Sequence, residues 1–425
     1  MRKGKGAATL SIPAAGGEGT LDAQSASTTT PVLALERWLA RKLLELSGHP
    51  RVSIVLWNGE EVPGAAAPLA RMHIRDRDAL YRLIRHPYLH FGDLYSVGRI
   101  EIEGDLVQFL ETAYRGFDSA RDTWFTQLQH LLNRPRANTP ADSRENIHHH
   151  YDLGNEEFYE LWLDREAMQY TCAYFPDPGM TLEDAQRAKM DHVCRKLRLK
   201  PGDRVAEAGC GWGGLARHMA RYYGATVRAY NISHEQVAYA RGQAAAQGLA
   251  GRVEYVEDDY RNIDGEYDVF VSVGMLEHVG RDHYRTLGAV ADRCLTEAGR
   301  GLIHSIGRDQ AERMVAWIEQ RIFPGAYPPT LREMMEIFEP NGFSVLDVEN
   351  LRLHYAKTLE HWLARFDLHA EEIERIFDGA FVRAWRLYLA GSQAGFLAGT
   401  LQLFQIVFTR GTNNDLPWSR EYLYE

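Results

Sequence analysis

A glycine-rich segment at residues 205–214 constrains the fold of this chain most strongly. It reads Val-Ala-Glu-Ala-Gly-Cys-Gly-Trp-Gly-Gly and joins a predicted strand, Arg204–Ala208, to a predicted helix. Glycines at such a turn let the backbone approach a ligand and direct N–H groups at it. In open α/β sheets, nucleotide-like cofactors bind at this place. The segment therefore predicts a cofactor loop around Gly209, Gly211 and Gly213.

Strands and helices alternate along the chain from residue 184 onward. The predicted helices span 184–197, 215–223, 233–246 and 282–294, and the predicted strands span 204–208, 225–230, 253–256, 267–273 and 300–305. The fourth of these strands is almost continuously apolar, as expected for a strand covered on both faces. The alternation is typical of a doubly wound, mostly parallel α/β sheet.

The length of 425 residues predicts two domains. Residues 1–30 are rich in Ser, Thr, Ala and Gly, which predicts a disordered tail. A smaller α+β domain is expected over 31–130, where strand-like and helical patterns are mixed and no residues of catalytic type stand out. Prolines among polar residues predict a linker at 131–146, and the catalytic domain is expected over 147–425.

Composition excludes several classes of protein. The net charge of −10 argues against a nucleic-acid substrate. No apolar run reaches the roughly 20 residues of a membrane span, and the N-terminus lacks the apolar core of a secretory signal. The four cysteines have no paired spacing, which favours a reducing cytoplasm. Three consecutive histidines, His148–His150, do not converge in helix or strand geometry, so no metal site is expected.

Seven short segments occur in order between residues 150 and 405. They are His150–Asn155, Met168–Tyr174, Ala208–Gly214, Val271–Gly280, His304–Gly307, Ile322–Gly325 and Gln402–Gln405. Together they resemble the cyclopropane fatty acid synthases, a branch of the class I S-adenosylmethionine-dependent methyltransferases that modifies unsaturated phospholipid acyl chains. The N-terminal domain resembles the lipid-binding domain in front of many of these enzymes. The resemblance implies a class I methyltransferase fold with a smaller N-terminal α+β domain.

The resemblance implies a binding site for S-adenosylmethionine. Its positions are Tyr170, Thr171, Glu207, Gly209, Gly211, Gly213, Asn231, Gln236, Asp259 and Tyr260. The first two match the pair that holds the methionine carboxylate, and the last two should bound the adenine. Asn231 and Gln236 match the ribose-binding positions, although the family commonly has threonine at the first of them.

The resemblance also implies a bound bicarbonate ion. Methyl transfer to an alkene leaves a carbocation, and ring closure then needs a base that takes a proton from the added methyl group. Cys172 and Ile306 are expected to give backbone N–H donors, His304 and Tyr355 side-chain donors, and Glu277 an acceptor. Such a set can hold a small planar anion and tune its basicity.

The implied substrate is an unsaturated phospholipid acyl chain. Candidates to line a tunnel for it are the large apolar residues Trp162, Met168, Tyr174, Phe175, Phe323, Trp362 and Phe366. Such an enzyme is expected in the cytoplasm, as a peripheral protein at the inner face of the membrane. The relatively basic N-terminal part suits anionic headgroups. A homodimer is an option that the sequence leaves open.

Three alternatives stay open. If the proton leaves an adjacent carbon instead of the added methyl, the product is a methylene- or methyl-branched chain. A non-catalytic lipid-binding protein with a methyltransferase fold would be indicated by loss of Gly209, Gly211 or Glu277, and all three are present. A small-molecule methyltransferase would explain the glycine motif but neither the bicarbonate set nor the N-terminal domain.

Overall fold

The computed structural model describes residues 30–48, 50–64, 67–119 and 155–424. The chain divides into two compact units. The first comprises Met1–Pro135, Arg313–Pro324 and Trp362–Thr400, and the second comprises Arg136–Glu312, Gly325–His361 and Leu401–Glu425. The predicted linker, the His148–His150 run and the predicted tail except Thr30 lie outside the described residues.

The N-terminal part of the first unit is an α+β arrangement, as the sequence predicts. Its elements are α1 (Ala34–Leu46), β1 (Val52–Val55), β2 (Glu61–Val62), β3 (Ala70–Ile74), α2 (Arg77–Arg85), α3 (Pro87–Ser96), β4 (Ile100–Glu103) and α4 (Leu106–Ser119). The strands form one sheet in the order β2-β1-β3-β4. Strands β1 and β3 are parallel, and the other two pairs are antiparallel.

The remainder of the chain supplies the second unit and further helices of the first. Its helices are α5 (Asn155–Glu160), α6 (Leu182–Lys196), α7 (Gly214–Tyr222), α8 (His234–Ala246), α9 (Tyr284–Cys294), α10 (Leu331–Phe338), α11 (Arg352–Leu368), α12 (Ala370–Ile376) and α13 (Gly379–Ala398). Its strands are β5 (Arg204–Ala208), β6 (Thr226–Asn231), β7 (Val253–Glu257), β8 (Tyr267–Val273), β9 (Leu295–Arg308), β10 (Phe343–Asn350) and β11 (Leu401–Arg410). Short 3₁₀ turns include Tyr260–Asn262 and Leu276–His278.

Helix α13 belongs to the first unit. Arg383 on this helix donates from Nε to the Tyr95 carbonyl at 2.7 Å and from Nη2 to the Ile100 carbonyl at 3.1 Å. Its guanidinium also lies 4.5 Å from the centre of the Tyr95 ring. The unit boundaries therefore differ from the predicted domains, because residues 313–324 and 362–400, expected in the catalytic domain, fold with the N-terminal region.

The seven-stranded sheet of the second unit has the order β10-β11-β9-β8-β5-β6-β7. Strands β9, β8, β5, β6 and β7 are parallel, whereas β11 runs antiparallel to both of its neighbours. The chain builds outward from β5 to β7 and then crosses to β8, so the strand order reverses between β5 and β8. Ligands bind at the carboxyl ends of parallel strands at such a switch point. The predicted doubly wound α/β class is confirmed.

Apolar layers cover both faces of this sheet. On one face, helices α6, α7 and α8 contribute buried side chains such as Val193, Leu215 and Val237. On the other face, α9 and α10 contribute side chains such as Leu287 and Ile337. These layers hold the strands in place, so the loops at their carboxyl ends present side chains from a rigid support. Among the described residues, no helix has the length and apolar character needed to cross a bilayer.

Candidate active site

The glycine loop follows β5 at the switch point. The N–H groups of Gly209 and Cys210 both donate to the Tyr230 carbonyl, at 2.9 and 3.1 Å. Gly209, Gly211 and Gly213 all have positive φ angles, of 82°, 52° and 76°, which glycine adopts at least cost. A Cβ atom on Gly211 would meet no atom within 4 Å. The loop is thus tied to the sheet while the backbone at Gly211 faces open space, as a cofactor loop requires.

Glu207 is the acidic residue of the site next to this loop. Its side chain is buried, and Oε2 has no hydrogen-bond partner among the described residues. Burial raises the pKa of Glu207 to about 7, although the positive charges of Lys189 and Arg217 act to lower it. A buried carboxylate oxygen without a donor is costly, so its position suits a ligand that brings hydroxyl groups.

The predicted ribose pair forms a direct contact. Asn231 Nδ2 donates to Gln236 Oε1 at 2.7 Å and to the Gly211 carbonyl at 3.2 Å. Asn231 Oδ1 in turn accepts the Ser233 N–H at 3.1 Å. Both ends of the Asn231 amide are therefore used within the chain, and the residue braces the glycine loop. Because an amide oxygen has two lone pairs, Gln236 can contact a ribose through Oε1 as an acceptor or through Nε2 as a donor.

The predicted adenine pair lies in the loop after β7. Asp259 accepts the Arg261 N–H at 2.9 Å and forms an ion pair with Arg261 Nη1, also at 2.9 Å. The Arg261 guanidinium lies 4.8 Å from the centre of the Tyr260 ring. Tyr260 is buried, and its hydroxyl has no partner in the described part of the chain. The Asp259 carboxylate thus fixes the conformation of this loop. The Tyr260 ring and hydroxyl are the groups suited to contact an adenine ring.

An aromatic cluster joins the Tyr170 segment to the glycine loop. The Tyr170 ring lies 5.2 Å from that of Trp162 in a T-shaped arrangement and 5.6 Å from that of Tyr159. Tyr159 also packs on Trp212 of the glycine loop, with ring centres 4.8 Å apart. Such edge and tilted contacts add stability beyond burial. Neither Tyr159 nor Trp212 is among the predicted site residues, although Trp212 lies inside the glycine motif.

Glu277 follows β8 and contacts Ile306 at the end of β9. Its Oε1 accepts the Ile306 N–H at 2.6 Å, and Oε2 is buried without a partner among the described residues. Burial raises the pKa of Glu277 to about 7. The expected role of Ile306 as a donor to bicarbonate changes accordingly, because its N–H is already committed to the carboxylate. Ile306 therefore orients Glu277.

His304 on β9 has a polar partner, Gln405, that was not predicted from the sequence. Gln405 Nε2 on the adjacent strand β11 lies 3.0 Å from His304 Nδ1. With the amide nitrogen as donor, Nδ1 accepts and the ring proton lies on Nε2. Burial lowers the pKa of His304 well below its usual value, so the ring is neutral. Its Nε2 is buried and has no partner within the described ranges, so it can donate to a ligand.

The segment after Thr171 is fixed to the N-terminal half of α11, which carries Tyr355. The Ala173 N–H donates to Thr358 Oγ1 at 2.9 Å, and the Phe175 N–H donates to His354 Nδ1 at 3.0 Å. Burial raises the pKa of the Cys172 thiol, which opposes a role as a thiolate nucleophile. These hydrogen bonds join the segment that carries Cys172 to the segment that carries Tyr355.

The predicted tunnel residues do not fall in one unit. Trp162, Met168, Tyr174 and Phe175 belong to the second unit, and the rings of Phe323, Trp362 and Phe366 belong to the first. Tyr174 stacks between two histidines, His192 and His354, with ring centres 4.2 and 4.9 Å away. In the ranges that the structure describes, no three His, Cys, Asp or Glu side chains are grouped to hold a metal ion.

Comparison with known proteins agrees with this geometry. Residues 39–123 match a family model described as a domain of unknown function. The chain is 35% identical to a Pseudomonas putida protein named "Probable fatty acid methyltransferase", over 88% of this chain and 97% of that one. It is 36% identical to the cyclopropane-fatty-acyl-phospholipid synthase of Escherichia coli K12, over 83% of this chain and 91% of that one.

A solved structure and a second family model cover the catalytic region. A mycolic acid cyclopropane synthase complexed with SAH and CTAB superposes with a TM-score of 0.59 at 29% identity, over 63% of this chain and 98% of that one. Residues 138–406 match the family model of mycolic acid cyclopropane synthetase. The chain therefore belongs to the mycolic acid cyclopropane synthetase family of S-adenosylmethionine-dependent methyltransferases.

Proposed function

We propose that this enzyme acts on the double bond of an unsaturated phospholipid acyl chain and forms a cyclopropane, with bicarbonate as the base. The observation that carries the proposal is a pair of buried polar atoms at the carboxyl ends of β8 and β9. Glu277 Oε2 is an acceptor and His304 Nε2 a donor, and neither has a partner among the described residues. A small planar anion that carries one O–H group satisfies both kinds of atom.

The cofactor residues fit S-adenosylmethionine. Glu207 Oε2 is a buried acceptor suited to hydroxyl groups, Gly211 leaves room for close backbone approach, and Tyr260 offers a buried ring. When bound there, the cofactor supplies a sulfonium methyl group to the alkene. The rings of Tyr159 and Trp162 pack against the Tyr170 ring. Aromatic faces at this place would stabilise the positive charge of the sulfonium.

Some of the predicted bicarbonate residues would contact the anion, and others orient the side chains that do. Bicarbonate supplies the base that takes one proton from the added methyl group. Glu277 Oε2 would accept the O–H group of the anion and His304 Nε2 would donate to one of its oxygens, so that the remaining oxygen would act as the base. Ile306 and Gln405 fix these two side chains through hydrogen bonds of 2.6 and 3.0 Å. Cys172 adds a backbone N–H for which no acceptor is found in the described part of the chain.

Methyl branching is the second candidate outcome. The Ile306 N–H is committed to Glu277, so the anion has one donor fewer than the family resemblance implies. A base that is less tightly oriented would take its proton from a neighbouring acyl carbon, which leaves a methyl branch and a carbon–carbon double bond in the chain. A methylene branch would form if a hydride first shifts from the methylated carbon to the cation and the added methyl group then loses the proton. The cyclopropane and the branched products are isomers of equal mass, so lipid mass spectrometry is combined with catalytic hydrogenation under mild conditions: the branched products take up hydrogen at their double bond, and the cyclopropane does not.

We further propose that the enzyme works in the cytoplasm as a peripheral protein on the inner face of the membrane. Helix α1 of the first unit exposes Leu35 and Trp38, which are 54% and 51% accessible. Arg41 and Lys42 lie beside them, and Lys42 Nζ is 5.9 Å from the centre of the Trp38 ring. Exposed apolar side chains beside basic ones are the pattern expected of a helix that lies on anionic lipid.

The test of the proposed chemistry is Glu277→Gln. Glutamine keeps an oxygen for the Ile306 N–H but replaces the charged acceptor Oε2 with a donor. We expect turnover on vesicles of unsaturated phospholipid to fall by roughly 100- to 10,000-fold, while affinity for SAH changes little. Wild-type turnover should fall when bicarbonate is removed from the buffer and return when it is added.

Glu333→Gln is the matched control. Glu333 is also buried, but its carboxylate caps α10, accepting the Thr330 N–H at 2.8 Å and the Tyr327 hydroxyl at 2.9 Å. This variant should keep its dependence on bicarbonate. Wild-type turnover that ignores bicarbonate, together with an active Glu277→Gln variant, would contradict the proposed base.

A further inference from the structure

Lys189 is a buried lysine on α6 that has no assigned role in cofactor binding. Its side chain is 0% exposed. The ammonium donates to Thr171 Oγ1 at 2.9 Å and also to Gln169 Oε1. Burial of an ammonium group is unfavourable unless hydrogen bonds and opposite charges compensate for the lost hydration. The two acceptors, Gln169 and Thr171, lie on the segment that carries Tyr170, so Lys189 fixes that segment.

The charge of Lys189 is balanced from several sides. Asp164 and Glu207 act on it as negative neighbours, and the Cys172 thiol is a third titratable group close by. Burial lowers the pKa of Lys189 to about 8, so the ammonium stays mostly protonated at neutral pH. Among its neighbours, Asp164 is itself held by the N–H groups of Ala167 and Gln169, at 2.8 and 2.7 Å.

Thr171 is held on three sides. Its carbonyl accepts a hydrogen bond from Gln186 Nε2 at 2.9 Å. Its methyl group packs so closely on Gly274 that a Cβ atom there would lie only 2.7 Å away. The third contact is the one with Lys189. An ammonium group has donors only, so Thr171 Oγ1 must be the acceptor in that bond. The hydroxyl proton of Thr171 is consequently turned toward a different acceptor, and the nearby positive charge makes it a stronger donor.

A strained turn precedes this segment. Met168 has a φ of 51°, in the left-handed region that long side chains rarely adopt, and its N–H donates to the Asp164 carbonyl at 3.2 Å. Such strain persists only where the surroundings fix the backbone. The turn thus fixes the orientation of Gln169, Tyr170 and Thr171 relative to Lys189.

We propose that Lys189 is a positioning residue, which fixes Thr171 Oγ1 as a hydrogen-bond donor to the carboxylate at the methionine end of the cofactor. The inference rests on the proposed binding of S-adenosylmethionine, with its carboxylate at Tyr170 and Thr171 as the family resemblance implies. Lys189 contributes through the hydroxyl, by direction and by charge, and does not itself touch the ligand. The sequence offers one signal for this role, a lysine on the side of α6 that also carries the apolar residues Ala185 and Val193.

The experiment compares two ligands by calorimetry. S-adenosylhomocysteine carries the amino-acid end, whereas 5′-methylthioadenosine keeps the adenosine and the sulfur but lacks that end. Lys189→Met should lower affinity for the first by roughly 10- to 100-fold, the range for a hydrogen bond to a charged group. Affinity for the second should stay close to that of the wild type.

Thr171→Val provides the coupled variant. It keeps the side-chain shape without the hydroxyl, and it should show the same ligand selectivity as Lys189→Met. The double variant should lose little more than Thr171→Val alone, because both changes remove one interaction. If Thr171→Val leaves the preference between the ligands unchanged, the carboxylate placement itself is wrong.

Lys196→Met is the matched control. Lys196 lies on the same helix and is also fully buried, but its ammonium pairs with Glu349 Oε2 at 2.6 Å and with Asp347 Oδ2 at 3.6 Å. It should affect both ligands alike. The proposal about Lys189 is overturned if Lys189→Met also weakens both ligands equally, or if its effect adds in full to that of Thr171→Val.

Discussion

Gly211 and Gly213 have the same kind of backbone conformation but different surroundings. Both have positive φ, so alanine at either position costs roughly 1–2 kcal/mol of backbone strain. A Cβ at Gly213 would also lie 2.5 Å from the Tyr255 ring, which is anchored because its hydroxyl donates to the Gly213 carbonyl at 2.7 Å. A Cβ at Gly211 would meet nothing within 4 Å.

This difference separates binding from stability. We expect Gly211→Ala to unfold within a few degrees of the wild type but to bind SAH more weakly, because its methyl group occupies the space that the cofactor approaches. Gly213→Ala should instead lower the unfolding temperature clearly. Thermal unfolding and calorimetry on both variants make the comparison. Unchanged SAH affinity in a folded Gly211→Ala variant would remove this loop from the proposed site.

Two buried carboxyl groups, Glu207 and Glu277, share one electrostatic feature. Burial raises the pKa of each to about 7. Each also has one oxygen without a partner among the described residues. A fold gains no stability from such groups, since an ionised carboxylate in an apolar interior is penalised. Strongly shifted groups at the carboxyl ends of parallel strands are instead typical of functional sites.

Helix α1 is the element expected to contact lipid. Trp38→Gln removes the large exposed apolar group while the neighbouring basic residues stay in place. We expect binding to anionic phospholipid vesicles to weaken by roughly tenfold, from the loss of apolar area that would enter the interface. Turnover on vesicles should fall in parallel, while SAH affinity should not change. Co-sedimentation with vesicles measures the first effect.

Trp418 supplies the control for this element. It is fully exposed, near the C-terminal end of the second unit. Trp418→Gln removes the same side chain from a segment with no proposed lipid contact, so vesicle binding should be retained. Equal losses in the two variants would mean that α1 has no special part in docking.

At the scale of the whole chain, the first unit is assembled from separate stretches of sequence. Arg115 on α4 donates from Nη2 to the Leu397 carbonyl on α13 at 3.2 Å. A Cβ on Gly92 would lie 2.4 Å from the Trp317 ring, so these two segments also pack closely. The unit therefore needs residues before 119 and residues after 312 together.

Removal of residues 1–130 should consequently damage the fold. It would expose the buried face of α13, including Trp385 and Phe396, to water. We expect the truncated chain to aggregate or to bind a hydrophobic dye, with a lower unfolding temperature than the full chain. A soluble truncated protein with unchanged unfolding would show that the two stretches are separable after all.

The local sequence pattern was sufficient to predict the bounds of two central strands of the sheet. The strands Arg204–Ala208 and Tyr267–Val273 have the predicted bounds, because glycines and an apolar run mark them directly. Strand β9 is longer than the predicted 300–305, and β10 and β11 were not predicted. These strands form an antiparallel extension whose partners are distant in sequence, so only tertiary pairing defines them.

The sequence by itself determined the family, and it marked the glycine loop and the acids and histidine at the strand ends as candidates for the site. These depend on residue type and spacing, which the chain carries locally. Only the tertiary structure decided what each polar group does. In the folded chain the Ile306 N–H donates to Glu277, and the Asn231 amide donates to Gln236. Lys189 is also buried against Thr171. Hydrogen-bond partners across a fold are set by three-dimensional packing, and a linear pattern does not contain that information.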